Sequence, residues 1–147
     1  MKKFSDPRHQ TRRLAVSLIF SEQNSQDPRY KEITKDEIRT AISELEVKSY
    51  EKDFLNEILA GVQEKSEEII EDIKKHSTGW EIEKIYRTDL AVLTVAIWEI
   101  KYSKKTPFKV VADEAVELAK EFGEKDSSKF VNGILSGVIR ESGEQNG

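Results

Sequence analysis

Polar and apolar residues alternate along most of the chain at helical spacing, but the alternation stops at one place. From Leu90 to Trp98 only Thr94 carries a polar group. A helix that is apolar nearly all round belongs in the middle of a protein. The run, flanked by Asp89 and by Glu99 to Tyr102, predicts a central helix ending near Lys104. It is short of the about 20 apolar residues that a membrane span needs. It is also longer than an ordinary strand of about 5–6 residues, and no Gly interrupts it.

The flanking segments carry one apolar face each. Asp6-Pro7 reads as a cap followed by Pro at the first helical position, opening a helix to about Gln23 with Leu14, Ala15, Leu18 and Ile19 inward. Asn24 to Tyr30, with Asp27-Pro28, reads as a loop. Thr34 and Glu37 form a capping box for a second helix to about Glu46. A third and longest helix runs from near Ser49 to about His76, its seam made by Phe54, Leu55, Ile58, Leu59, Val62, Ile69, Ile70 and Ile73. Its outer face, rich in Glu and Lys, reads as solvated. Thr78 and Glu81 suggest a second capping box, before a short helix that places Trp80, Ile82 and Ile85 on the core. Thr106-Pro107 starts a helix to Glu121 that buries Val110, Val111, Ala115, Leu118 and Ala119. Phe122-Gly123 reads as a stop with Gly left-handed. Asp126 or Ser127 caps a last helix to about Glu141. On it Gly133 and Gly137 predict a close backbone approach, since each costs roughly 1 kcal/mol relative to Ala. The tail from Ser142 reads as frayed. Seven helical segments and no strand pair predict an all-α fold. The breaks suggest one domain with two helical lobes, residues 1–76 and 77–147.

Composition narrows the function. The chain of 147 residues has no Cys, which excludes disulfides and thiolate metal sites. His9 and His76 lie too far apart in sequence to suggest zinc. No glycine-rich phosphate loop, nucleophile elbow or Ser-His-Asp order occurs, so an enzyme is the weakest class and no cofactor is expected. The lysines at positions 2 and 3 are followed by no apolar stretch, so a cytoplasmic protein is expected. The net charge of −4 is uneven. Lys2, Lys3, Arg8, Arg12 and Arg13 against Asp6 give the first thirteen residues +4, which leaves −8 for the rest. A basic arm on an acidic body points to an anionic partner at one end.

Two stretches are candidates for binding. Arg8, Arg12 and Arg13 should project from the first turns of the first helix. There the positive end of the helix dipole opposes them by about 0.3–1 kcal/mol per charge. The clustering therefore suggests a use other than folding, with nucleic-acid binding and a frayed terminus both open. The second stretch is Asp126-Ser127-Ser128-Lys129-Phe130-Val131-Asn132-Gly133. Its helix start offers free N–H groups to phosphate, Lys129 adds charge, and Phe130 either stacks on a base or packs in the core. Phe20 and Tyr86 are expected in the core.

Taken together, several of these segments carry a resemblance. They are Arg12-Arg13-Leu14-Ala15-Val16-Ser17-Leu18-Ile19-Phe20, Asp89 to Ile100 with Ala96-Ile97-Trp98-Glu99, Pro107 to Val111, Asp113 to Gly123 with Glu114-Ala115-Val116-Glu117-Leu118-Ala119-Lys120, and Asp126 to Leu135 with Lys129-Phe130-Val131-Asn132-Gly133. The chain resembles the transcription antitermination factor NusB family over nearly its whole length, most strongly in its last forty residues. The resemblance implies two perpendicular helical bundles and a non-enzymatic role. It implies pairing with NusE, a small-subunit ribosomal protein, and binding of single-stranded boxA RNA in ribosomal RNA operon transcripts. Other Nus factors and RNA polymerase are then indirect partners, and no membrane is involved. A homodimer stays open, since some family members pair through the RNA-binding face. By position, the resemblance implies RNA contacts at Arg8, Arg12, Phe20, Asp126 and Phe130; Lys2, Lys3 and Arg13 are expected to add charge to them, and Ser127 and Lys129 join from the reading of the helix start. It implies NusE contacts at Phe20, Glu83 and Asp89. His9 and Gln10 stand where further basic residues are frequent, Phe20 where Tyr is, and Asp113 where Asn is. A related module is fused to a ribosomal RNA methyltransferase, and the stop at Gly147 favours the free-standing factor. A protein–protein adaptor is the alternative from another class.

Overall fold

The helical periodicities become seven α-helices in a computed structural model that describes residues 6–23, 32–79 and 81–143. They are α1 (Pro7–Gln23), α2 (Lys35–Glu44), α3 (Lys52–Glu64), α4 (Ser66–His76), α5 (Arg87–Trp98), α6 (Phe108–Phe122) and α7 (Ser127–Glu141). A 3-10 turn, Ile82–Lys84, precedes α5, and a π-helical turn, Glu99–Ser103, continues it. No strand occurs among the described residues, and the fold is all-α.

The apolar run forms the centre. Every residue from Asp89 to Ile100 is buried, and α1, α3, α4, α6 and α7 all pack on α5. Leu14 of α1, Leu55 and Ile58 of α3, Leu93 and Ile97 of α5 and Leu135 of α7 meet in one hydrophobic cluster. Each is worth about 1.5–3 kcal/mol when fully buried. After Trp98 the helix winds into the π-turn, which closes with Lys104 left-handed at φ 57°. Such turns are rare inside helices and are frequent at functional sites. This one begins at Glu99, which is 1% exposed.

The helix starts follow the sequence unevenly. Asp6 accepts the Arg8 amide at 3.0 Å, and the Thr34–Glu37 capping box is complete. The box expected at Thr78 does not form. The 3-10 turn begins after Glu81, with no side-chain cap, and Gly79 is left-handed at φ 84°. Trp80 and the loop from Asn24 to Tyr30 lie outside the described residues. Pro107 is the cap residue of α6 rather than its first helical residue, and Thr106 makes no cap bond. Gly123 is extended, not left-handed. The longest expected helix is two helices, interrupted at Lys65, although no Gly or Pro marks the break. Val110 and Tyr86, expected inside, are 44% and 58% exposed.

Close approach happens at glycines, but not as the α7 pair suggests. A Cβ on Gly133 would meet nothing, so that glycine faces open space. A Cβ on Gly137 would lie 2.5 Å from His76 Nδ1, so the neighbour there is a side chain of α4 rather than a backbone. The tightest contact is at Gly61 of α3, where the Trp98 indole would lie 2.0 Å from a Cβ.

Candidate nucleic-acid interface

The basic start of α1 is surrounded by acids. Arg12 Nε and Nη2 donate to the two carboxylate oxygens of Glu99 at 2.7 and 2.9 Å, with side-chain exposures of 4% and 1%. Glu114 of α6 stands 3.6 Å from the same guanidinium and 2.7 Å from His9 Nδ1. Burial acts to lower the Arg12 pKa, but the hydrogen bonds and charge of Glu99, with Glu114, leave it raised and the group cationic. Arg13 donates to Glu121 of α6, to Gln10 and to the Leu45 carbonyl at the end of α2. Arg8 donates to Glu51 at 2.9 Å and lies over the Phe54 ring, 3.9 Å from its centroid. Thr11 accepts the Glu51 amide, which fixes the start of α3 to α1.

This corrects the expectation that all three arginines project. Only Arg8, with a side chain 41% exposed, reaches the surface. Arg12 is buried and Arg13 lies along the protein, because four glutamates offset the dipole that opposes cations there. Those glutamates come from positions 51, 99, 114 and 121, far away in sequence. Lys2 and Lys3 lie outside the described residues.

The start of α7 is built around Ser127, which is 1% exposed. Its hydroxyl accepts the Glu124 amide at 2.7 Å. Asp89 is 2% exposed, so it is not part of an exposed acidic face, and its Oδ1 is buried without a hydrogen-bond partner among the described residues. Burial raises its pKa; Ser127 acts against this and the charge of Glu124 adds to it. Asp126 is exposed and makes no side-chain cap bond, and Lys129 is exposed on the next turn. Phe130 and Phe20 are half-buried and pack against the core cluster. Glu83, on the 3-10 turn, is exposed.

Two ion pairs set the register of α1 against α6. His9 lies opposite Glu114 and Arg13 opposite Glu121, so α1 runs parallel to α6. Phe20 lies about 18 Å along α1 from Arg8 at 1.5 Å per residue. Sequence reasoning missed Glu51, Glu99, Glu114 and Glu121, which hold the arginines of α1. The only available signal was an unfavourable cluster of arginines that needed acidic partners.

No helix among the described residues is long and apolar enough to cross a membrane. A family model for the NusB family matches residues 9–140. The transcription antitermination protein NusB of Acetivibrio thermocellus is 32% identical over 133 residues, covering 90% of this chain and 88% of that one. Its counterpart in Ruminiclostridium cellulolyticum is 33% identical with the same coverage of each chain. The solved structure of T. maritima NusB superposes with a TM-score of 0.76 at 27% identity, covering 92% of both chains. Acidic partners of the arginine cluster, the central apolar helix and the braced α7 start all fall inside the matched span, and the chain belongs to the NusB family of transcription antitermination proteins.

Proposed function

We propose that the protein reads boxA-type single-stranded RNA in ribosomal RNA operon transcripts together with NusE, and so promotes read-through by RNA polymerase. The support for this reading is that Arg8 is half-exposed at the start of α1 and that Asp126 and Lys129 are exposed at the start of α7. Arg8 and Lys129 contact phosphates, joined by Lys2 and Lys3. The free amides of the α7 start add to them. Phe130 and Phe20 offer ring faces, where stacking is worth about 1–3 kcal/mol per base. Asp126 accepts from a base edge. Arg12, Arg13 and Ser127 act by holding these groups in place rather than by touching RNA. NusE docks beside Phe20 and Glu83.

One observation favours the adaptor reading: Arg12 and Arg13 spend their charge inside the protein. A gel shift with boxA-like RNA, with and without NusE, separates the two. RNA reading requires a shift that strengthens with NusE and weakens about tenfold or more in Phe130→Ala, with the helical circular-dichroism signal retained. An adaptor gives no shift under either condition.

A further inference from the structure

Between the end of α1, the α3–α4 break and the start of α5 lies an open groove of about 940 Å³. Its walls carry half-buried Ile33, Leu59 and Ile70, above a floor closed by the core. Glu22, Glu64, Glu67 and Glu68 line it against one cation among the described residues, Arg87. None of the four makes an ion pair with a described residue. Some other acids are matched: Glu51, Glu57, Asp72 and Glu121 each hold an Arg or Lys.

Helix electrostatics explain only half of this rim. Glu67 and Glu68 stand in the first turn of α4, where the dipole favours them. Glu22 and Glu64 stand in the last turns of α1 and α3, where it does not. Glu22 is also partly desolvated, and burial raises its pKa. Beside it, Gln23 Oε1 is buried without a hydrogen-bond donor. Two carboxylates held against the dipole, an acceptor lacking its donor and an apolar wall suit a cationic ligand with an apolar side chain. Phosphate would be repelled.

We propose that this groove docks a basic segment of a protein partner. An apolar side chain of that segment lies against Ile33, Leu59 and Ile70, and its Lys or Arg side chains meet Glu22, Glu64, Glu67 and Glu68. These residues are separate from those assigned to RNA and to NusE, so the groove stands or falls independently of that reading.

The test uses the full chain and a synthetic peptide of alternating Leu and Arg, with binding followed by calorimetry at physiological salt. Glu22→Gln, Glu64→Gln, Glu67→Gln and Glu68→Gln made together should weaken binding about tenfold, in line with four partly exposed pairs. A charge-matched control on other surfaces, with Glu44→Gln, Glu46→Gln, Asp53→Asn and Glu117→Gln, should leave it within about twofold. A peptide with Ser in place of Leu should bind more weakly than the original. Equal losses in the two variants, or no preference for Leu over Ser, would mean unspecific charge attraction and overturn the proposal. Displacement of the peptide by single-stranded RNA, or by dimerisation of the chain, would also overturn it by giving the groove another occupant.

Discussion

Arg12 and Glu99 lie 87 residues apart in sequence and meet through two hydrogen bonds at almost no exposure. Cutting one side of such a pair leaves a buried charge alone, at a cost of about 3–5 kcal/mol. Arg12→Ala should therefore destabilise the protein by about that amount in urea unfolding. Arg8→Ala, which breaks a half-exposed pair and a ring contact, should cost about 1 kcal/mol. The contrast separates the cation that builds the fold from the cation left for a ligand. Glu141 gives a residue-scale handle on pH. Hydrogen bonds from Lys75 and His76 hold its pKa down to about 2. Its folded value lies below its unfolded one, so its contribution is complete above the ordinary carboxylate range, about 4.3. It is lost as pH falls toward 2. Glu141→Gln should flatten the acid limb of the stability curve in that window. Asp89 has the opposite sign. Its raised pKa means that stability is lost as pH rises through the folded value, so Asp89→Asn should compare better with the native protein at neutral pH than below the ordinary carboxylate range.

At the scale of elements, the sequence was most readable where one local rule sufficed. The Leu90–Trp98 run needed only its own composition to place α5 in the middle, and Thr34 with Glu37 needed only three residues to mark the α2 start. The break at Lys65 was not readable. The apolar seam continues through Ile69 and Ile73, and neither Gly nor Pro marks the interruption. Gly123, Val110 and Tyr86 were misplaced because their conformation or exposure depends on which helices arrive beside them. The glycines test helix spacing directly. Gly137→Ala should push α7 away from His76 and destabilise the protein, whereas Gly133→Ala, with open space around it, should stabilise it by about 1 kcal/mol. Thermal unfolding of the two single variants should show shifts of opposite sign. Similar shifts would mean that α7 does not pack on α4 as described.

At the scale of the molecule, the arginines at the beginning of α1 do not form a free basic arm. They close the joint among α1, the α3 start, the π-turn and α6. This part of the candidate site was hidden from the sequence, because all four acidic partners are remote and glutamate is common. The proposed RNA face is consequently smaller than the sequence alone suggests, and it rests on Arg8, Lys129 and the ring faces near the α7 start. Its affinity should be moderate without NusE and dependent on few phosphate contacts. The most direct test is the salt dependence of boxA-like RNA binding in the presence of NusE. Arg8→Ala combined with Lys129→Ala should reduce the slope of log K against log salt by about one to two. Arg12→Lys, measured where it stays folded, should leave that slope unchanged. An unaltered slope in the double variant, or a reduced slope in Arg12→Lys, would contradict the division between cations that hold the fold and cations that meet RNA.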